Sequence, residues 1–95
     1  MMRIKEVLRY NGKIYGYTVI ENGEEVQYTR DEIIEFIKGG KVDNAIMHPK
    51  KGNRILINDT NIRDINRKPL GILKETYNRY LGYQRMLKNE NRNVH

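Results

Sequence analysis

Apolar and polar side chains largely alternate between residues 3 and 28, and two Asn-Gly dipeptides, Asn11-Gly12 and Asn22-Gly23, cut that run into three segments. Asn and Gly accept the positive φ angles of a two-residue hairpin turn, so the pattern predicts three antiparallel strands joined by two tight turns. Counting outward from the first turn sets Leu8 opposite Tyr15, Glu6 opposite Tyr17 and Ile4 opposite Val19. The second turn sets Val19 opposite Val26 and Tyr17 opposite Tyr28. Both counts place Ile4, Leu8, Tyr15, Tyr17, Val19, Val26 and Tyr28 on one apolar face. The other face then takes Arg3, Lys5 and Arg9 as a basic row, with Val7, Ile14, Thr18, Ile20, Glu25 and Gln27 beside them.

The period changes at Thr29. Thr29 and Glu32 form a capping box, Asp31 and Glu32 suit a helix N-terminus, Lys38 suits the other end, and Gly39-Gly40 is a stop. A helix over 30–38 puts Ile33, Ile34, Phe36 and Ile37 on one face, a lid over the tyrosine side of the sheet. Two further strands come next, near 41–47 and 54–58, around a loop with His48, Pro49, Lys50, Lys51 and Gly52. A polar connector occupies 59–69. Pro69 then opens an amphipathic helix over 70–88, with Leu70, Leu73, Tyr77, Tyr80, Leu81, Gln84 and Leu87 on one arc and Ile72 and Tyr83 at its edge. Residues 89–95 read as a frayed tail.

These elements make one α+β domain: a small antiparallel sheet packed by one short and one long helix, in the order strand, strand, strand, helix, strand, strand, helix. The long helix has two uses. It can dock on the same core, the simpler solution for a chain this short, or present Tyr77, Tyr80, Tyr83 and Leu87 to a second copy or another partner.

Composition narrows the chemistry. With 95 residues the chain supports one core and no interdomain cleft. Cysteine is absent, which excludes disulfides and thiolate metal sites. Serine is absent too, and the histidines are His48, alone in a loop, and His95. No nucleophile with an oriented base can be assembled, and no catalytic residue, metal ligand set or cofactor site is assigned. Asp59 and Asp64, with Lys68 near them in sequence, have the residue types for a magnesium site. Capping of a turn by Asp59 and solvation of Asp64 explain them more simply. The N-terminus lacks the apolar run of a signal peptide and no stretch reaches the length of a membrane span, so a soluble, cytoplasmic protein is expected, without a membrane partner.

The net charge of +6 is uneven: residues 21–38 carry −4 and the rest +10. Segregation of this kind favours an oriented surface over a uniform coat. Arg3, Lys5 and Arg9 on the sheet, Lys50, Lys51 and Arg54 at the second hairpin, and Arg63, Arg67 and Lys68 in the connector would neutralise several phosphates if they converge. Tyr15, Tyr17 and Tyr28, assigned to the apolar face, read as core and not as a base-stacking platform.

The run "GYTVIENGEEVQYTRDEIIEFIKGGKVDNAIM" through to "RILI" resembles short uncharacterised proteins of bacterial prophages, plasmids and conjugative elements, in which a hairpin leads to a T-x-x-E helix, a Gly stop and a strand. The resemblance spans about residues 14 to 57 and implies a mobile-element setting, where small non-enzymatic proteins act as regulators or as inhibitors of host defence, anti-CRISPR proteins included. The leading expectation is a non-catalytic protein that binds nucleic acid or a nucleic-acid-bound host protein through its basic surface. The alternative is an inhibitor directed at a host defence protein, acting by protein contact, by nucleic-acid mimicry or by occlusion.

Overall fold

Asn11 and Asn22 both adopt a φ of 52°, followed by Gly12 at 78° and Gly23 at 81°, so each Asn-Gly pair makes the tight turn its chemistry favours. The computed structural model describes residues 1–66, 68 and 72–93, and the side chains of all of these except 72–73 and 89–93. The chain is an α+β fold with strands β1 (Arg3–Tyr10), β2 (Lys13–Glu21) and β3 (Glu24–Thr29), helix α1 (Arg30–Lys38), strands β4 (Ala45–Met47), β5 (Ile55–Ile57) and β6 (Arg63–Asn66), and helix α2 (Ile72–Asn93). The main sheet has the order β3-β2-β1-β6, and β4-β5 is a separate two-stranded sheet.

Strand β6 departs from the expected polar connector. It pairs parallel with β1, from Glu6 opposite Arg63 to Arg9 opposite Asn66. Only four residues long and mostly exposed, it carries too little apolar alternation to announce itself. Helix α2 also runs beyond the expected limit, through Asn93. Arg67, Pro69 and Leu70 lie outside the described residues, as does His95.

The register of the second hairpin is the one counted from its turn, with Tyr17 opposite Tyr28 and Val19 opposite Val26. The first is not. Ile4 does face Val19, but irregularities after Ile4 and after Leu8 set Glu6 opposite Thr18, Val7 opposite Tyr17 and Leu8 opposite Gly16. Lys5 is the additional residue on β1 and Tyr15 the one on β2, and each bulge exchanges the faces of the residues beyond it. Val7 therefore joins Ile4, Tyr17 and Val19 in the main core, with Ile33 and Ile37 of α1, Met2, Val42 and Ala45. Leu8 and Tyr15, both fully buried, are displaced from the expected face to the other one, where Tyr77 of α2 packs its ring against Tyr15.

The sheet is thus covered on both sides. Helix α1 and the β4-β5 hairpin close one face; α2 crosses the other, against β2 and β3, instead of docking on the same core. Gly16 permits that crossing: a Cβ there would stand 2.7 Å from the Tyr28 carbonyl oxygen and 3.0 Å from Thr76 Cγ2. The capping box forms as expected, with Thr29 Oγ1 accepting from the Glu32 N–H and the Glu32 carboxylate accepting from the Thr29 N–H at 3.0 Å.

Two phenols depend on this packing. Burial pushes Tyr17 up to about 12, and Tyr28 rises to about 12 chiefly because its hydroxyl donates to Glu21 Oε2 at 2.6 Å. An unfolded tyrosine ionises near pH 10. The folded state thus holds protons that the unfolded chain has released, and the stability this confers is complete below about pH 10 and lost as pH rises through about 12. In an alkaline titration followed by tyrosinate absorbance and circular dichroism, Tyr17 and Tyr28 should ionise late, together with loss of structure. Ionisation of Tyr17 and Tyr28 near pH 10 with the fold intact would refute this.

Candidate nucleic-acid interface

A cation already paired with a carboxylate offers less charge to a phosphate, and the three cations of β1 are all paired. Arg3 pairs with Asp59, Lys5 with Glu25, and Arg9 Nε donates to Asp64 Oδ2 at 2.5 Å. Glu25 raises the Lys5 pKa, first by its hydrogen bond and then by its charge. The expected basic row is also broken geometrically. Arg9 follows Val7 by two residues and so lies on the α1 side of the sheet, whereas Lys5 reaches Glu25 of β3. The two carboxylates of the magnesium reading, Asp59 and Asp64, are each paired with an arginine. Asp59 also caps a turn, Oδ1 accepting from the Asn61 N–H at 2.8 Å.

The remaining cations are placed by the topology. The first turn joins Tyr10 to Lys13; Thr29, opposite Gly16, ends β3 at the same end of the sheet; Asn66, opposite Arg9, ends β6 there too. The tip between β4 and β5 reaches this end as well, because the Arg30 guanidinium donates to the Asn53 carbonyl at 3.3 Å. Lys13, Lys50, Lys51, Arg54 and Lys68 are therefore carried on connections that meet at one end, all are exposed, and among the described residues none makes an ion pair. Glu21 and Glu24 flank the turn at the opposite end, and Glu25, next to it on β3, is the partner of Lys5. Arg63 is also unpaired and exposed, but it begins β6 beside Glu6, away from the cluster.

His48 organises the basic tip. Its Nδ1 accepts from the Lys50 and Lys51 N–H groups, each at 3.1 Å, and its own backbone N–H donates to the Arg54 carbonyl at 2.8 Å. The loop histidine, without a role in the sequence pattern, fixes the backbone that carries three of the five cations at this end. Lys13 gives no local signal because it adjoins a turn and belongs to no run of charge, and Arg30 gives none because it sits in the acidic block.

The tyrosines of α2 meet the same end. Tyr77 lies edge-on to Tyr10 at 5.8 Å and to Tyr15 at 5.1 Å between centroids, and Tyr80 is stacked on Tyr77 at 6.5 Å. Tyr83 is half-buried beside Glu32, Glu35 and Phe36 of α1. Arg79 donates to both Glu32 carboxylate oxygens, at 2.9 and 3.1 Å, and ties the two helices together. Of the four residues that could form an external interface, Tyr77, Tyr80 and Tyr83 are thus engaged within the chain, while Leu87, with Met86, is exposed. Among the described residues no group of three or more acidic, His or Cys side chains is placed to hold a metal ion, and no helix is long and apolar enough to cross a membrane. No family model matches the chain, and neither a curated protein nor a solved structure is significantly similar to it.

Proposed function

We propose that this chain is a non-catalytic nucleic-acid-binding protein that presents the basic end of its sheet to the phosphate backbone, in the setting of a bacterial phage or mobile element. The observation that carries this reading is the meeting of Lys13, Lys50, Lys51, Arg54 and Lys68 at one end, without an ion pair among the described residues, while Arg3, Lys5 and Arg9 are each paired with a carboxylate. The acidic turn at the far end favours one orientation on a polyanion. The resemblance to short prophage and mobile-element proteins supplies the setting.

Fluorescence anisotropy across a salt series tests this. Engagement of about four phosphates should give a slope of log affinity against log salt near −3 to −4. Reversing Lys50, Lys51 and Arg54 to Glu should weaken binding and flatten the slope by about 3, roughly one for each phosphate no longer neutralised. Replacing Arg3 and Lys5 by Gln instead should change the slope far less, since carboxylates already pair with both. Negligible binding to DNA and RNA at low salt would overturn the proposal and favour the inhibitor directed at a host protein.

A further inference from the structure

Between the first hairpin turn and α2 lies a cleft of about 260 Å³ whose walls include Tyr10, Tyr77, Tyr80 and Gln84, with Lys13 and Lys88 at its rim. We infer that this cleft takes an unpaired nucleobase, so that the protein prefers single-stranded over duplex nucleic acid; the inference rests on the nucleic-acid reading above.

Three observations converge on that ligand. First, the wall is aromatic. Tyr77 is held edge-on by both Tyr10 and Tyr15, and Tyr80 stands nearly parallel to it, with 28° between the ring planes. A flat ring meeting such a wall gains stacking energy whatever its sequence identity. Second, Tyr10, Tyr77, Tyr80 and Gln84 are only half-buried, so the surface is concave and open, not sealed core. The Gln84 amide offers a donor and an acceptor to the edge of a base. Third, Lys13 and Lys88 are exposed, and neither makes an ion pair among the described residues. They stand where phosphates flanking a splayed base would pass. A paired base inside a duplex has no free face to offer, so the cleft discriminates by strandedness while the basic end supplies affinity to either form.

The test compares a fluorescent thymidine oligonucleotide with a mixed-sequence duplex, using the full chain and its Tyr80→Leu and Tyr80→Phe variants. The native protein should bind the single strand more tightly. Tyr80→Leu should lower single-strand affinity at least about fivefold, the lower limit for loss of one base–aromatic stack. Its duplex affinity should be unchanged, and Tyr80→Phe should restore the preference. Photocrosslinking of a halouracil-substituted strand to the native protein gives an independent readout that does not depend on a variant folding, and should label the peptide containing Tyr10 or that containing Tyr80. Equal affinity for both forms, insensitive to Tyr80 and with crosslinks elsewhere, would overturn the inference while leaving the basic end in place. Absence of binding to either form would overturn both.

Discussion

Removing the C-terminal helix by ending the chain after Lys68 is expected to abolish the cooperative thermal transition. The reason lies in what α2 covers. Tyr15 is fully buried on the face that α2 crosses, with its ring against Tyr77, and Leu8 is fully buried on that same face. Uncovering a buried side chain of this size costs about 1.5–3 kcal/mol. The aromatic pairings of Tyr77 with Tyr10 and Tyr15 disappear as well, at about 0.5–1.5 kcal/mol each. The two side chains and two ring pairings total about 4–9 kcal/mol, comparable to the whole net stability of a small domain. Calorimetry or circular dichroism on residues 1–68 provides the measurement. A sharp transition from a monomer would mean that the core around Ile4, Val7, Tyr17 and Ile33 stands alone, and that α2 is an assembly element.

The second large effect concerns Asn44, a buried polar side chain with 6 % exposure. Its Oδ1 accepts from the Ile4 N–H at 2.9 Å and its Nδ2 donates to the Ile4 carbonyl at 2.9 Å. The carboxamide thus imitates a neighbouring strand and satisfies both backbone groups of a residue with no exposed surface. It continues the pairing begun beside it, where the Met2 N–H donates to the Lys41 carbonyl at 2.8 Å and the Asp43 N–H to the Met2 carbonyl at 2.9 Å. Asn44→Ala leaves a buried donor and a buried acceptor unmatched. At about 1–3 kcal/mol for each of the two orphaned groups, the variant should lose roughly 2–6 kcal/mol in a denaturant titration. Asn44→Asp should fare no better, because it keeps the acceptor, removes the donor and buries a charge. Hydrogen exchange at the Ile4 amide should accelerate in Asn44→Ala, which removes its acceptor. A loss below about 1 kcal/mol would show that other groups replace these bonds readily.

Charge explains why the candidate site is harder to read from sequence than the fold. Arg3 finds Asp59 across 56 residues and Arg9 finds Asp64 across 55, so no local pattern reveals that these cations are occupied. Lys50, Lys51 and Arg54 are visible as a basic loop. That they share an end of the sheet with Lys13 and Lys68 follows only from how β4-β5 and β6 run alongside β1.

The sequence by itself determined the features whose causes are local. Asn11-Gly12 and Asn22-Gly23 specify their turns, Thr29 with Glu32 caps α1, and the apolar spacing of Ile33, Ile34 and Ile37 aims that helix at the sheet, because each effect acts over four residues or fewer. The α+β class follows from these elements together. Tertiary structure decided the rest. The bulges at Lys5 and Tyr15 override the count from the first turn, although Ile4 and Val7, three residues apart, already break strict alternation and mark the place. Their consequence, an apolar residue pair moved to the second face, is what gives α2 a surface to cover. The side taken by α2 was undetermined by its own sequence, since a broad apolar arc suits either face; the gap above Gly16 and the ring of Tyr15 settled it. β6 exists because β1 had an open edge that a short polar segment could fill with backbone hydrogen bonds, which depend little on side-chain identity.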